Sequence, residues 1–313
     1  MRAKPKVSVV IVAFDMAREI PRTVTSFLPP YQIGVADDQV EVLVLENGSN
    51  TPIPAHVRDT FPESVRVIDV PDPKPSPAHA LNYGVQLARA DWVCLVIDGA
   101  RMASPGIVGL AIRAFDLDPS PVIATLGWHL GPKPQAISVA EGYDQTEEDR
   151  LLSSIRWPED GYRLFDIASL GLSARSGWFG PIAESNAVFI QKSHYDRIGG
   201  FDPRFDLPGG GIANHDFFRR CVEDPELCYV LLLGEGTFHQ HHGGVTTSKG
   251  VDDAKAPSEL STWEKYAAQY QSITGRPYAV PSATPILFGR MTPPATRALS
   301  RCLTSAHEIG ADR

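Results

Sequence analysis

The sequence predicts an α/β protein: a doubly wound, mainly parallel sheet flanked by helices, with a helical C-terminal extension. Two observations carry this prediction. Short apolar runs alternate with helical segments through the N-terminal third of the chain, which is the pattern of a parallel sheet. Acidic residues directly follow several of these runs, at the edge where open α/β sheets place their ligands.

The predicted strands are short apolar runs of a kind buried on both faces. Helical spacing is found at 18–28 and at 78–90, between successive runs. The four runs that predict the N-terminal half of the sheet are residues 7–14, 40–45, 65–70 and 92–97. Further strands are predicted at 122–126, 187–191 and 229–233.

Three of these strands end in an acidic residue: Asp15, Glu46 and Asp98. Because the carboxyl ends of parallel strands meet at one edge, we expect the three carboxylates to lie near one another. Like charges held together are costly unless a cation or hydrogen-bond donors accompany them. The pattern therefore predicts a ligand site, with capping of the next turn as the alternative role for Asp98.

Composition narrows the class of protein. The 313 residues are 43% hydrophobic and carry a net charge of −8, which argues against nucleic-acid binding in the absence of a basic stripe. Four cysteines without a CxxC pair indicate a reduced protein, so we expect a cytoplasmic location. No signal peptide and no run of roughly 20 apolar residues is present, which leaves only peripheral membrane contact open.

The turn after the first strand lacks two common phosphate-binding patterns. Neither the dinucleotide motif GxGxxG nor the phosphate loop GxxxxGK[ST] occurs there. Enzymes that use NAD and enzymes built on a P-loop are therefore disfavoured.

The second half of the chain contributes further polar candidates. Glu184 and Asn186 precede a short strand, where they could bind a hydroxylated ligand or only form a turn. A glycine-rich loop then opens onto a helix with His215 and Asp216 in its first turn, where the helix dipole also favours an acid for structural reasons. Trp178 could stack on a ring, with core packing as the alternative.

A histidine-rich segment follows the last predicted strand. His239, His241 and His242 stand within four residues, before Gly243 and Gly244. In extended chain, His239 and His241 point to one face and His242 points to the other. Such a cluster indicates a metal or phosphate site about as often as a structural role.

Five segments in this order resemble one known family. They are VSVVIVAFD, VLVLENGSN, HALNYGVQLARADWVCLVIDGA, IGGFDPRF and HHGGVT. Together, over residues 7–247, they resemble the family 2 glycosyltransferases, which have the Rossmann-like GT-A fold. The resemblance implies a GT-A domain at 1–250, with a nucleotide-sugar half at about 1–118 and an acceptor half at 119–250. Residues 251–313 form the predicted extension, with helices at 259–273 and 295–306.

The resemblance also implies a reaction. A sugar would pass from a nucleoside-diphosphate sugar to an acceptor hydroxyl, with inversion and with Asp216 as the general base. The acceptor would be a glycan, a glycolipid or a small molecule. Members of this family commonly take part in the assembly of bacterial surface polysaccharides or glycolipids. For this reaction, the candidate donor-binding residues are Asp15, Glu46, Asn82, Asp98 and Arg101, and the candidate substrate-binding residues are Glu184, Asn186, His215 and Trp178.

One departure from the family pattern concerns the metal. The D-x-D motif begins at Asp98 but has Ala100 in place of its second aspartate. A Mn²⁺ or Mg²⁺ ion would then need His241 or His239 as a further ligand. The alternative is that Arg101 and a histidine neutralise the diphosphate without a metal. We expect a cation, because a lone carboxylate facing a diphosphate is repulsive.

Two other functions remain open at this stage. The incomplete D-x-D motif is compatible with a homologue that binds or hydrolyses nucleotide sugars without transferring the sugar. A sugar nucleotidyltransferase has a related sheet, but the missing glycine-rich phosphate loop counts against it.

Overall fold

The structure is a computed structural model that describes residues 4–242 and 261–311. Within these ranges, ten strands form one mixed sheet with helices on its faces, which confirms the predicted α/β architecture. The strands are β1 (Val7–Ala13), β2 (Val40–Glu46), β3 (Val65–Asp69), β4 (Trp92–Val96), β5 (Arg101–Ala103), β6 (Pro121–Leu130), β7 (Ala168–Leu170), β8 (Val188–Gln191), β9 (Cys228–His239) and β10 (Ile286–Gly289).

The helices include four at or near the segments that helical spacing predicts, at Ile20–Ser26, Ala78–Leu87, Thr262–Thr274 and Pro293–Ala311. None of them, over the described ranges, combines the length and apolar character needed to cross a membrane. They are α1 (Ile20–Ser26), α2 (Ala55–Arg58), α3 (Ala78–Leu87), α4 (Ile107–Ala114), α5 (Gln135–Ala140), α6 (Gln145–Ser154), α7 (Lys192–Arg197), α8 (Ala213–Val222), α9 (Thr262–Thr274) and α10 (Pro293–Ala311).

The N-terminal half of the sheet is doubly wound. Strands β3, β2, β1 and β4 lie side by side in this order, and all three pairings are parallel. Every residue of β1 and β2 is buried, as expected for apolar strands covered by helices on both faces. The carboxyl ends of β1, β2 and β4 therefore meet at one edge, where the sequence analysis expects a ligand.

The second half adds both strand directions. Strand β8 is antiparallel to β4 and β6, whereas β9 is parallel to β6. Strand β10, from the segment predicted as a helical extension, pairs in parallel with β9. The C-terminal segment thus contributes to the sheet itself, and the division into two halves and an extension stays a prediction.

An aromatic layer fills the space beneath the end of β9. It consists of Trp128, Phe165, Trp178 and Phe238, each at most 1% exposed. The ring of Trp128 lies 5.2 Å from Phe165 and 5.8 Å from Trp178, measured between centroids. The first pair is edge-to-face and the second is tilted, and aromatic contacts of this kind add to the stability gained from burial of large apolar surfaces.

The pairing of β6 with β9 contains an irregularity that is fixed by one buried acid. Ala124 pairs with Leu231 and Leu126 pairs with Gly236, so β9 holds extra residues between the two pairs. Glu235, only 1% exposed, lies in this bulge. Its carboxylate accepts hydrogen bonds from the Ser104 hydroxyl, the Tyr162 hydroxyl at 2.7 Å and the Gly106 amide at 3.1 Å. The contacts with Ser104 and Gly106 tie the bulge to the start of α4.

Glu235 makes the stability of the protein depend on pH. Burial raises the pKa of its carboxyl from 4.5 to about 7, so the folded chain binds this proton more tightly than the unfolded chain. Its contribution is fully present below pH 4.5 and is lost as the pH rises towards 7. We expect this to lower the free energy of unfolding by roughly 2–3 kcal/mol between about pH 5 and pH 8.

Urea denaturation at both pH values measures this effect, with Glu235→Gln as the control. Glutamine keeps an accepting oxygen but cannot ionise, so the pH dependence of the variant should be smaller by the same amount. An equal pH dependence in both proteins would contradict the assignment.

Candidate functional site

Three strands bring polar side chains into one row at the carboxyl end of β9. His239 pairs with His129 of β6 on one side and with Arg101 of β5 on the other. Paired residues point to the same face of a sheet, so the three side chains lie next to one another. The turn between β4 and β5, which carries Asp98, ends beside this row.

Asp98, His239 and His242 form a compact group that could hold a metal ion. Oδ2 of Asp98 lies 2.8 Å from Nε2 of His239, and Oδ1 lies 3.6 Å from Nε2 of His242. The two Nε2 atoms are 3.1 Å apart. Burial favours the neutral acid, but the two histidines hold the pKa of Asp98 well below its ordinary value.

His239 has the protonation state and the orientation of a metal ligand. Burial lowers its pKa to about 4, and the Arg101 guanidinium acts in the same direction, so the ring is neutral. Nδ1 contacts the side-chain oxygen of Gln135. A neutral ring that donates its Nδ1 proton there presents the lone pair of Nε2 to Asp98, which is the usual arrangement behind a ligating histidine.

The donor set fits a divalent cation. The Asp98 carboxylate and the Nε2 atoms of His239 and His242 converge on one point. With His239 in the tautomer just described, these atoms present lone pairs to one another, and a proton or a cation between them would remove the repulsion. Burial lowers the pKa of His242, but the Asp98 carboxylate raises it by more. Two imidazoles with one carboxylate suit a transition-metal ion better than Mg²⁺, which prefers oxygen ligands.

His242, and not His241 as expected from the sequence, lies with His239 beside Asp98. Strand β9 ends at His239, so the alternation of an extended chain does not continue beyond it. The backbone NH of His241 donates to Oε2 of Glu148 at 2.5 Å, and its ring lies edge-on to Tyr143. In the described part of the chain, the group beside Asp98 therefore contains His239 and His242, and the assignment of His241 is corrected.

Glu148 of α6 holds the segment that carries these histidines. Its fully buried carboxylate also lies 3.2 Å from the Arg18 guanidinium and 3.6 Å from that of Arg22. Arg18 in turn donates to the carbonyl oxygen of His241 at 3.4 Å. These contacts link the turn after β9 to the loop after β1. They join residues more than ninety positions apart, so no local sequence pattern could indicate them.

Arg101 lies beside Asp98 and has an NH group, at Nε, without a hydrogen-bond partner among the described residues. It is 8% exposed, and its Nε is 3.7 Å from Oδ2 of Asp98. Burial lowers the pKa of Arg101, while Asp98 and Glu184 act in the opposite direction. An arginine remains charged in this setting, so the site contains a cationic donor next to the possible metal group.

Asp15 and Glu46 meet at the predicted edge, where they organise a loop. The carboxylate of Asp15 accepts from the Asn50 side chain and the Thr51 amide, each at 2.8 Å. That of Glu46 accepts from the Ser49 hydroxyl and from the amide of Ile53 at 3.0 Å. Their described partners are thus donors of the turn after β2, and their contact with a nucleotide stays a prediction.

Asn82 lies on the far side of α3 from this turn. Its side-chain NH₂ donates to the Phe201 carbonyl at 2.8 Å, and its oxygen accepts from the Phe201 amide at 3.0 Å and from the Tyr195 hydroxyl. Both ends of the amide therefore hold α3 against the loop before α8. These contacts favour a structural role over the predicted role in donor binding.

Glu184 and Asn186 line the side of the site next to Arg101. Glu184 accepts from the Asn214 side chain at 2.7 Å, and its Oε2 lies 3.5 Å from Nδ1 of His215. Burial raises the pKa of Glu184, but His215 and Arg101 together lower it below its ordinary value, so it is an anion. The buried amide of Asn186 lies over Gly127, where an added Cβ would be 3.4 Å from its nitrogen.

Asp216 points away from this group. Its Oδ2 accepts from Nε of Arg220, one turn along α8, at 2.8 Å. Arg220 also donates to the carbonyl oxygens of Ile198 and Gly200, each at 2.7 Å. The side chain of Asp216 is only 7% exposed. Its contacts are those of a buried ion pair that fastens α8 to the preceding loop.

Trp178 is part of the core, which corrects its assignment to substrate binding. It is 1% exposed, packs in the aromatic layer, and donates from Nε1 to the Leu232 carbonyl at 2.8 Å. Its faces are therefore unavailable to a ligand. The next residue, Phe179, is 70% exposed.

The comparisons with known proteins agree with this geometry. Residues 8–99 match the family described as glycosyl transferase family 2. The match runs from β1 to the turn that carries Asp98. The search of curated proteins found no match to this chain.

Solved structures share the fold at low sequence identity. One is S. aureus TarS, 11% identical with a TM-score of 0.51, where the alignment covers 75% of this chain and 37% of that one. Another is S. aureus TarS 1-349, 12% identical with a TM-score of 0.50, where it covers 75% and 60%. The chain thus spans less than two thirds of either structure. The protein has a GT-A fold in which residues 8–99 match glycosyl transferase family 2.

Proposed function

We propose that this protein transfers a sugar from a nucleoside-diphosphate sugar to an acceptor hydroxyl. The observation that carries the proposal is the group of Asp98, His239 and His242 beside the Arg101 guanidinium. It lies at the carboxyl edge of the segment that matches the family. A divalent cation held by this group would add its charge to that of Arg101, and such a combination suits the diphosphate leaving group of such a donor.

The leaving group would be held from two sides. A divalent cation bound by Asp98, His239 and His242 would supply positive charge to the departing diphosphate, with Mn²⁺ favoured over Mg²⁺ by the two imidazoles. Arg101 supports the same charge directly, since its Nε has no partner among the described residues. Charge-assisted hydrogen bonds from a guanidinium to phosphate oxygens are among the stronger ones.

Glu184 is the carboxylate that the geometry favours as the general base. Its negative charge interacts with the Arg101 guanidinium, which supports a position near the proposed diphosphate site. Asp216, the base predicted from sequence, is instead engaged by Arg220. In-line attack by an acceptor hydroxyl that one carboxylate deprotonates predicts inversion at the anomeric carbon.

Two isosteric variants distinguish these bases. We expect Glu184→Gln to lower kcat for transfer by roughly 10²-fold or more, because the attacking hydroxyl loses its proton acceptor. Asp216→Asn should lower the free energy of unfolding, since it leaves Arg220 without its anion, and its kcat should remain within about tenfold. Steady-state kinetics and urea denaturation measure both. If Asp216→Asn lost transfer activity and Glu184→Gln kept it, with both proteins folded, Asp216 would be the general base.

The donor can be identified by ligand-induced stabilisation. Thermal unfolding of the purified protein is measured with a panel of nucleoside diphosphates and their sugars, with Mn²⁺ and with a chelator. A ligand that binds the folded state raises the midpoint by mass action. A donor that stabilises the protein and then releases nucleoside diphosphate supports the proposal. No stabilisation by any member of the panel would refute it.

A second candidate, hydrolysis or binding of the nucleotide sugar without transfer, is favoured by Ala100. This residue is fully buried, and its amide and carbonyl bond to the Asp98 side chain and the Gln240 amide. The position of the second aspartate of D-x-D is thus part of the packed interior. Product analysis separates the two functions: transfer yields a glycosylated acceptor, and hydrolysis yields free sugar.

A further inference from the structure

An aromatic group from the C-terminal segment stands over the side of the site where Glu184 lies. The ring of His215 lies edge-on to Trp263 of α9 at 5.7 Å and to Tyr278 at 5.4 Å, measured between centroids. Trp263 and Tyr278 are 6.1 Å apart and nearly perpendicular. We call these three residues, His215, Trp263 and Tyr278, the aromatic corner.

The aromatic corner is joined to the proposed reaction centre by direct contacts. Nδ1 of His215 lies 3.5 Å from Oε2 of Glu184, and the Tyr278 hydroxyl donates to the Ala183 carbonyl at 3.0 Å. Glu184 in turn is electrostatically coupled to Arg101. A molecule resting against the aromatic corner would therefore lie next to the carboxylate proposed as the base.

The glycine-rich loop before α8 fixes this arrangement. Gly210 adopts a φ of +82°, and an added Cβ would lie 2.9 Å from Pro77, on the donor side of the site. Gly211 adopts a φ of +54°, and an added Cβ would lie 3.4 Å from the ring of Tyr266 in α9. The loop thus packs between the donor half and the helix that carries Trp263, which holds α9 at a set distance from the site.

The exposure of Trp263 is not explained by packing. Tyr266 and Tyr270 of the same helix are at most 7% exposed and serve the core, whereas Trp263 is 50% exposed. A tryptophan face left open beside polar groups is suited to the apolar CH face of a pyranose ring, whose hydroxyls then reach those groups. Glu184, whose side chain is 17% exposed, is available to accept from such hydroxyls. Nδ1 of His215 is buried beside it and has no hydrogen bond among the described residues.

We propose that the aromatic corner is the acceptor subsite, and that the acceptor is a glycan whose pyranose ring stacks on Trp263. This inference rests on the proposed function, because it assigns the attacking hydroxyl to a sugar held against Trp263 with its hydroxyl directed at Glu184. The step it serves is the one given above: the C–O bond to the diphosphate breaks, the hydroxyl oxygen forms the new glycosidic bond, and the hydroxyl proton passes to the base.

The test measures glycan binding and donor binding separately. The wild-type full chain, Trp263→Ala, Trp263→Tyr and Phe179→Ala are applied to an array of pyranose-containing oligosaccharides. Phe179→Ala is the matched control, because it removes another exposed aromatic side chain. We expect the wild type to bind at least one glycan, Trp263→Ala to lose at least tenfold in apparent affinity for it, and Trp263→Tyr and Phe179→Ala to retain it.

Donor binding and folding are followed in the same four proteins. All four proteins should unfold cooperatively, and the shift of the thermal midpoint with the donor from the nucleotide panel should be the same for Trp263→Ala and the wild type. Absence of glycan binding by the wild type, or equal binding by Trp263→Ala, would overturn the acceptor subsite even if the donor stabilises the protein. Absence of donor stabilisation, with glycan binding still dependent on Trp263, would refute the proposed function alone.

Discussion

Replacement of Asp98 by asparagine is expected to lower kcat for nucleotide-sugar turnover by about 10²–10³-fold in a protein that remains folded. Asp98 is the only carboxylate of the group it forms with His239 and His242. Asparagine can still accept the hydrogen bond from the Ala100 amide, which is 3.0 Å from Oδ1 in the wild type. The local turn should therefore survive, while the negative charge that attracts a cation is lost.

Two measurements check this expectation. Isothermal titration with Mn²⁺ should show weaker binding to Asp98→Asn by at least tenfold, in parallel with the kinetic loss. Asp69→Asn is the matched control, since Asp69 also ends a strand of the same sheet but is exposed and paired with Arg58 at 2.9 Å. Wild-type turnover by Asp98→Asn would show that Asp98 only caps the turn and has no part in catalysis.

Removal of the Trp128 indole should cause a large loss of stability. Trp128→Ala is expected to lower the free energy of unfolding by about 3–5 kcal/mol, because it empties a large volume in the packed aromatic layer. Trp128 is fully buried and precedes His129, so the row of side chains at the end of β9 should be disturbed as well. Urea denaturation measures the stability, and donor-induced stabilisation reports on the site.

The half-exposed Trp263 supplies the control for this second prediction. Trp263→Ala removes the same side chain from a partly open position and should cost less than about 1 kcal/mol. Trp128→Phe should fall between the two, since it retains a ring in the layer. Equal losses for Trp128→Ala and Trp263→Ala would mean that the aromatic layer does not carry the expected packing energy.

The fold was predictable where periodicity extends over enough residues. Strands β1, β2, β3 and β4 are short, mainly apolar runs, and the helical segments between them predict parallel pairing. Strands β5, β7 and β10 are only three or four residues long, so no periodicity marks them. Strand β5 matters most, because its pairing with β9 is what brings Arg101 next to His239.

The candidate site was predictable only in part, and the reason is geometric. Asp98 and His239 could be proposed as candidates because a strand end and a histidine cluster are local signals. His242 was missed because the extended conformation stops at His239. The pairing of Asp216 with Arg220 was readable in advance, since four residues separate them on a helix. No local sequence pattern indicates Gln135 or Glu148, because each contacts the histidine segment across more than ninety residues of chain.

The bulge in β9 has a consequence for how this chain can vary in length. Between Leu231 and Gly236, β9 has four residues opposite Thr125, the one residue of β6 between their partners, and Glu235 anchors this bulge. An insertion or deletion of one residue after this anchor would shift His239 by one position and turn its imidazole to the opposite face of the sheet. Insertions and deletions in the surface turns should therefore leave the site intact, whereas those between Gly236 and His239 should disrupt it.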